Sequence, residues 1–85
     1  MSWKILVDPR ARKALENIPK RDSLRIKIAI DRMGIDLFEG DIEKLGGQEN
    51  AWRKRVGSYR IFFEIYKAEN MVYIFKIERR TSSIY

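Results

Sequence analysis

The chain has 85 residues, a formal charge of +6 at pH 7, 45% hydrophobic and 12% aromatic residues, and neither cysteine nor histidine. That length allows one domain burying roughly 60% of its unfolded surface, so residues 1–85 are read as a single unit with a small core. Disulfides, a thiol nucleophile, the usual zinc ligands and imidazole acid-base chemistry are excluded, no cofactor is expected, and the cationic excess favours nucleic acid or another polyanion as partner.

The opening MSWKILVDP lacks the apolar core and small-residue cleavage site of a signal peptide. No apolar run approaches the ~18 residues of a membrane span, so a cytoplasmic protein without a membrane partner is expected. Trp3 to Val7 reads as a short strand. It ends at Asp8-Pro9, where Asp caps a helix N-terminus and Pro fits the first turn. Ala11, Ala14, Leu15 and Ile18 then recur at the spacing of an amphipathic helix, with Arg10, Arg12, Lys13 and Glu16 on its other side, until Pro19 stops it. A second segment begins near Asp22-Ser23. Its Leu24, Ile26, Ile28 and Ile30 alternate like a strand, while Ile26, Ala29, Ile30, Met33 and Leu37 keep helical spacing; length and the cap favour a helix, weakened later by Gly34. Residues 40–50 read as a polar connection. Its Asp41 and Glu43, with Asp36 and Glu39 before them, have nothing to converge them on a metal and read as a solvated acidic loop.

The stretch from Trp52 to Ile65 reads as a hairpin around Gly57-Ser58, a pair suited to a two-residue turn. In that register Val56 pairs with Tyr59, Arg55 with Arg60 and Arg53 with Phe62. Trp52, Val56, Tyr59, Ile61, Phe63 and Ile65 then share an apolar face, and Arg53, Arg55 and Arg60 share the other. Opposed like charges destabilise a sheet, so folding alone gives no reason to gather three guanidiniums, and an anion is expected on them. Lys54 falls on the apolar side, its stem along the core and its ammonium reaching for water. Glu64 shares the face of Arg60 by parity, as an ion-pair partner or a proton acceptor. A second turn at Lys67 to Asn70 leads to a last strand, Met71 to Ile77, with Val72, Ile74, Phe75 and Ile77 as core candidates. The tail adds Arg79, Arg80 and a closing Tyr85. The fold class is therefore α+β: an N-terminal strand, a two-helix hairpin and a three-stranded antiparallel meander, with the helices on one face of the sheet.

WRKRVGSYRIFFEI, followed by a strand and an Arg-rich tail ending in Ile-Tyr, resembles the RelE/ParE superfamily of toxins of type II toxin–antitoxin modules, over essentially the whole chain. The resemblance implies a RelE-like fold and, in the RelE-like branch, a ribosome-dependent endoribonuclease that cuts messenger RNA in the A site by 2′-OH attack, without a metal. By position it assigns Arg53, Arg55, Arg60, Arg79 and Tyr85 to catalysis, the arginines stabilising phosphoryl charge and Tyr85 stacking on a base. Arg80, Lys54, Lys13 and Arg25 are assigned to broader RNA contact. Such toxins often carry lysines where Arg53 and Arg55 stand, and arginine is a poor base, which leaves the general base unassigned. The implied partners are a cognate RelB-like antitoxin with an acidic segment, in a toxin–antitoxin hetero-oligomer, and the ribosome with its messenger RNA. The alternatives left open are ParE-like inhibition of DNA gyrase and a non-catalytic RNA- or antitoxin-binding role.

Overall fold

A computed structural model of the chain describes residues 2–47 and 50–79. Its elements are β1 (Lys4–Val7), α1 (Pro9–Glu16), α2 (Lys20–Met33), β2 (Ile42–Lys44), β3 (Ala51–Val56), β4 (Tyr59–Tyr66) and β5 (Met71–Arg79). Among the described residues the strands form one mixed sheet in the order β1-β5-β4-β3-β2, β1 running parallel to β5 and the other pairs antiparallel. The expected meander is its centre, and the parallel β1 is reached across the two helices. Ile42–Lys44 adds an edge strand where the sequence reads only as a connection; three residues are too few to display a period.

Asp8 caps α1, its carboxylate accepting from the Arg10 amide at 2.8 Å, with Pro9 in the first turn. The ambiguous second segment is helical. Ile26, Ile30 and Met33 are buried on one side of it, while Leu24 and Ile28, half of the strand-like alternation, remain exposed. It begins at Lys20, before the expected Asp22-Ser23 cap, on Pro19, and no side chain caps it.

Both helices cover one face of the sheet. Ala11, Leu15, Ile26, Ile30 and Met33 pack there against Tyr59, Ile61, Phe63, Ile65, Val72, Ile74 and Ile77. The register between β4 and β5 shifts at Phe62/Phe63. Phe75 departs from its expected core position and lies against Phe62, ring centroids 6.2 Å apart, because it follows the inward-facing Ile74 by one residue; the shift instead returns Ile77 to the core side, opposite Ile61. No helix among the described residues is long and apolar enough to cross a membrane.

Candidate nucleic-acid interface on the open sheet face

The hairpin adopts the expected register, Val56 opposite Tyr59, Arg55 opposite Arg60 and Arg53 opposite Phe62. Gly57 holds φ +58 at the first turn position, a left-handed backbone that a side chain would strain, as a type II′ turn requires. Alternation along β4 places Tyr59, Ile61, Phe63 and Ile65 under the helices and Arg60 on the uncovered face, with Arg53 and Arg55 beside it. The cluster thus comes from neighbouring strands held by main-chain hydrogen bonds, which fixes its spacing.

Each guanidinium of the cluster has its own carboxylate. Glu43 on β2 is opposite Arg53 in register and paired with it. Asp41 Oδ2 stands 3.6 Å from Arg55 Nε, and the Arg55 amide donates to the Asp41 carbonyl at 2.9 Å. Glu78 on β5 faces Arg60, with 4.0 Å between Oε2 and Nη1, and its other oxygen is 3.2 Å from Lys76 Nζ. Asp41 and Glu43 are therefore not a free solvated loop, and Glu39 is tied bidentately to Arg32. Among the described residues no group of acidic side chains is placed to hold a metal ion. The Nε groups of Arg53, Arg55 and Arg60 are buried with no acceptor in hydrogen-bonding geometry.

The other assigned residues divide. Lys54 is only 8% exposed and lies on the core side, opposite Ile61, with Nζ donating at 2.5 Å to the Glu39 carbonyl. Burial lowers its pKa against the upward pull of Glu39 and Asp36. This corrects its assignment to RNA contact, because its ammonium is spent on the loop between α2 and β2 rather than offered to solvent. Arg79 is opposite Tyr59 in register, on the side of the core face, so strand parity does not bring it to the Arg60 cluster. Arg25, on α2, places Nη1 where a Cβ on Gly57 would meet it at 2.9 Å, so a further cation sits at the hairpin tip. Lys13 is exposed on α1, in the helical layer and away from the arginines. Glu64 accepts from the Tyr66 hydroxyl at 2.6 Å. Arg80 and Tyr85 lie outside the described residues. Sequence reasoning missed the role of Asp41, Glu43 and Glu78; the only available signal was that an edge strand at residues 42–44 would set Glu43 beside Arg53.

A two-helix layer over one face of a small sheet, with three carboxylate-paired arginines on the other, defines the class as an α+β domain with a fixed arginine cluster on its open face. Comparison with known proteins makes this specific. The family model described as "ParE toxin of type II toxin-antitoxin system, parDE" matches residues 5–83, and the chain belongs to this family of the RelE/ParE toxin superfamily. A chain of the archaeal RelE–RelB complex from Pyrococcus horikoshii OT3 superposes with a TM-score of 0.81 at 23% identity, covering 98% of this chain and 100% of that one. The RelB–RelE complex of Methanococcus jannaschii gives 0.74 at 27% identity, over 88% and 89%. The isolated RelE toxin of Escherichia coli gives 0.78 at 17% identity, over 96% and 88%. A search among curated sequences returned no significant match.

Proposed function

We propose that this toxin is a ribosome-dependent messenger RNA endoribonuclease whose active surface is the open face around Arg53, Arg55 and Arg60. The observation that carries the reading is the convergence of these three guanidiniums from paired strands on the one face no helix covers. In the reaction the ribose 2′-oxygen bonds to the adjacent phosphorus while the bond from phosphorus to the 5′-oxygen breaks. A 2′,3′-cyclic phosphate and a 5′-hydroxyl result, the proton passing overall from the 2′-OH to the leaving oxygen. Negative charge builds on the phosphoryl oxygens, where fixed and permanently charged donors lower the barrier. Guanidiniums do not take up the 2′-OH proton, so the face contributes charge stabilisation and in-line placement of the nucleophile. On resemblance alone, Tyr85 is assigned the base-stacking role, Arg79 a place among the catalytic arginines and Arg80 broader RNA contact.

The partner in this reading is a cognate antitoxin bearing an acidic segment, in a toxin–antitoxin complex within the cytoplasm. The titles of the similar solved complexes pair RelE with RelB. A chain of net charge +6 with Leu24, Ile28, Ile35 and Phe38 exposed suits an acidic, amphipathic chain wrapped on it. The deciding experiment is a ribosome-containing translation reaction with primer-extension mapping, run with the wild type and Arg60→Ala. Cut transcripts with the former and intact ones with the latter are expected. Arrest with intact transcripts overturns the reading. The match to a family described as ParE favours a second reading, inhibition of DNA gyrase. Loss of supercoiling by purified gyrase in the presence of the toxin, with translation spared, would establish it.

A further inference from the structure

We propose that Asp41, Glu43 and Glu78 determine the specificity of the arginine face by acting as built-in competitors that exclude free single-stranded RNA. This rests on the reading of that face as the phosphate-binding surface. The pairing is one carboxylate to one guanidinium, drawn from three places in the chain: the residue before β2, β2 itself and β5. In every pair the acid is the more exposed member. The side chains of Glu43 and Arg53 are 63% and 19% exposed, those of Asp41 and Arg55 56% and 38%, and those of Glu78 and Arg60 35% and 29%. Each carboxylate is thus open to solvent beside its arginine, and a phosphate that takes the guanidinium competes with the carboxylate already paired to it.

Exposed ion pairs are weak, so a phosphodiester can open them, but each opening subtracts from the gain of the new contact. A flexible strand must also be ordered on binding, and the two costs add. An RNA segment already held in shape by another body avoids the ordering cost and meets only the first. Glu78 is the easiest gate, because Lys76 keeps one of its oxygens when Arg60 is taken. The same carboxylates relieve the repulsion between the opposed Arg55 and Arg60, which explains how the cluster is tolerated without a ligand.

The test titrates a non-cleavable 2′-O-methyl single-stranded oligonucleotide into the whole chain and into four variants. Asp41→Asn/Glu43→Gln/Glu78→Gln removes the competitors. Glu16→Gln/Asp31→Asn/Glu69→Gln makes the same change in net charge at exposed sites elsewhere. Glu43→Gln alone keeps the question answerable should the first triple variant not fold, and Arg60→Ala is added to the variant that folds. The first triple variant is expected to bind roughly tenfold tighter and Glu43→Gln roughly twofold to threefold, as expected for opening exposed ion pairs. The charge-matched control is expected to change little. Equal tightening in the control, or none in the competitor-free variants, overturns the inference. Arg60→Ala is expected to lose the gain; an unchanged affinity there means the phosphate-binding reading itself has failed.

Discussion

Along β4, neighbouring residues face two different environments. Tyr59, Ile61, Phe63 and Ile65 are buried under the helices, while Arg60, Phe62 and Glu64 look out from the open face. Each face contains one arrangement that folding disfavours, and the two are resolved differently. On the covered face the misfit is Lys54, and the repair is internal: its ammonium is capped by the Glu39 carbonyl of a loop folded over it. On the open face the misfit is the facing Arg55 and Arg60, and the repair is external, through carboxylates in solvent. An internal repair is permanent, whereas an external one yields to a stronger anion. That contrast is what favours the open face, not the covered one, as the proposed site.

The comparison breaks if the two faces respond alike to substitution. Phe63→Ala, at a fully buried position, is expected to lower stability by about 3 to 5 kcal/mol, read as a fall in the denaturation midpoint. Arg60→Ala is expected to reduce cleavage on ribosomes by about 10²- to 10³-fold, as removal of one transition-state donor does, while shifting the midpoint little. A large loss of stability in Arg60→Ala would move that residue from the site to the scaffold.

Much of this division is legible in the sequence, because the two-residue turn fixes strand parity and parity alone sorts arginines from core residues. The α1 cap at Asp8-Pro9 is legible because it is a local rule with a single solution, whereas the stripe of Ile26, Ile30 and Met33 competes with a strand-like alternation and is decided by segment length. What the sequence hides depends on contacts between distant segments. Ile42–Lys44 becomes a strand only because β3 offers it an edge, and Ile74 and Ile77, of opposite parity, share the covered face only because β4 and β5 slip by one residue. The carboxylates at 41, 43 and 78 read as ordinary surface charge until pairing sets them on the arginines.

Lys54→Met sharpens the contrast from the covered side. The swap conserves volume, so stability near neutrality is expected to stay within about 1.5 kcal/mol of the wild type. The alkaline limb is more telling. Burial lowers the folded-state pKa of Lys54 below its ordinary 10.5. Between that lowered value and 10.5 the unfolded chain binds more protons than the folded one, so the wild type gains stability as pH rises through the window. Lys54→Met should lack this rise in a chemical-denaturation series; equal slopes would mean that the ammonium is solvated rather than buried.

The smallest expected effect lies where the two faces meet. Asp8 caps α1, in the covered layer, and also accepts from the hydroxyl of Tyr73, which pairs with Glu64 on the open side. The Tyr73 hydroxyl, together with the Arg10 amide, holds the Asp8 carboxyl below its ordinary 3.8. A depressed carboxyl contributes stability that is present above its unfolded value and is lost as pH falls through its folded one. Asp8→Asn retains a capping oxygen but removes the titration. It should melt close to the wild type at neutral pH and lose less stability on acidification below about pH 4, measured by thermal melts followed by circular dichroism. Identical acid limbs would show that Tyr73 holds Asp8 no more strongly in the folded chain than water does in the unfolded one, and the tie between the helix cap and the open face would then be geometric only.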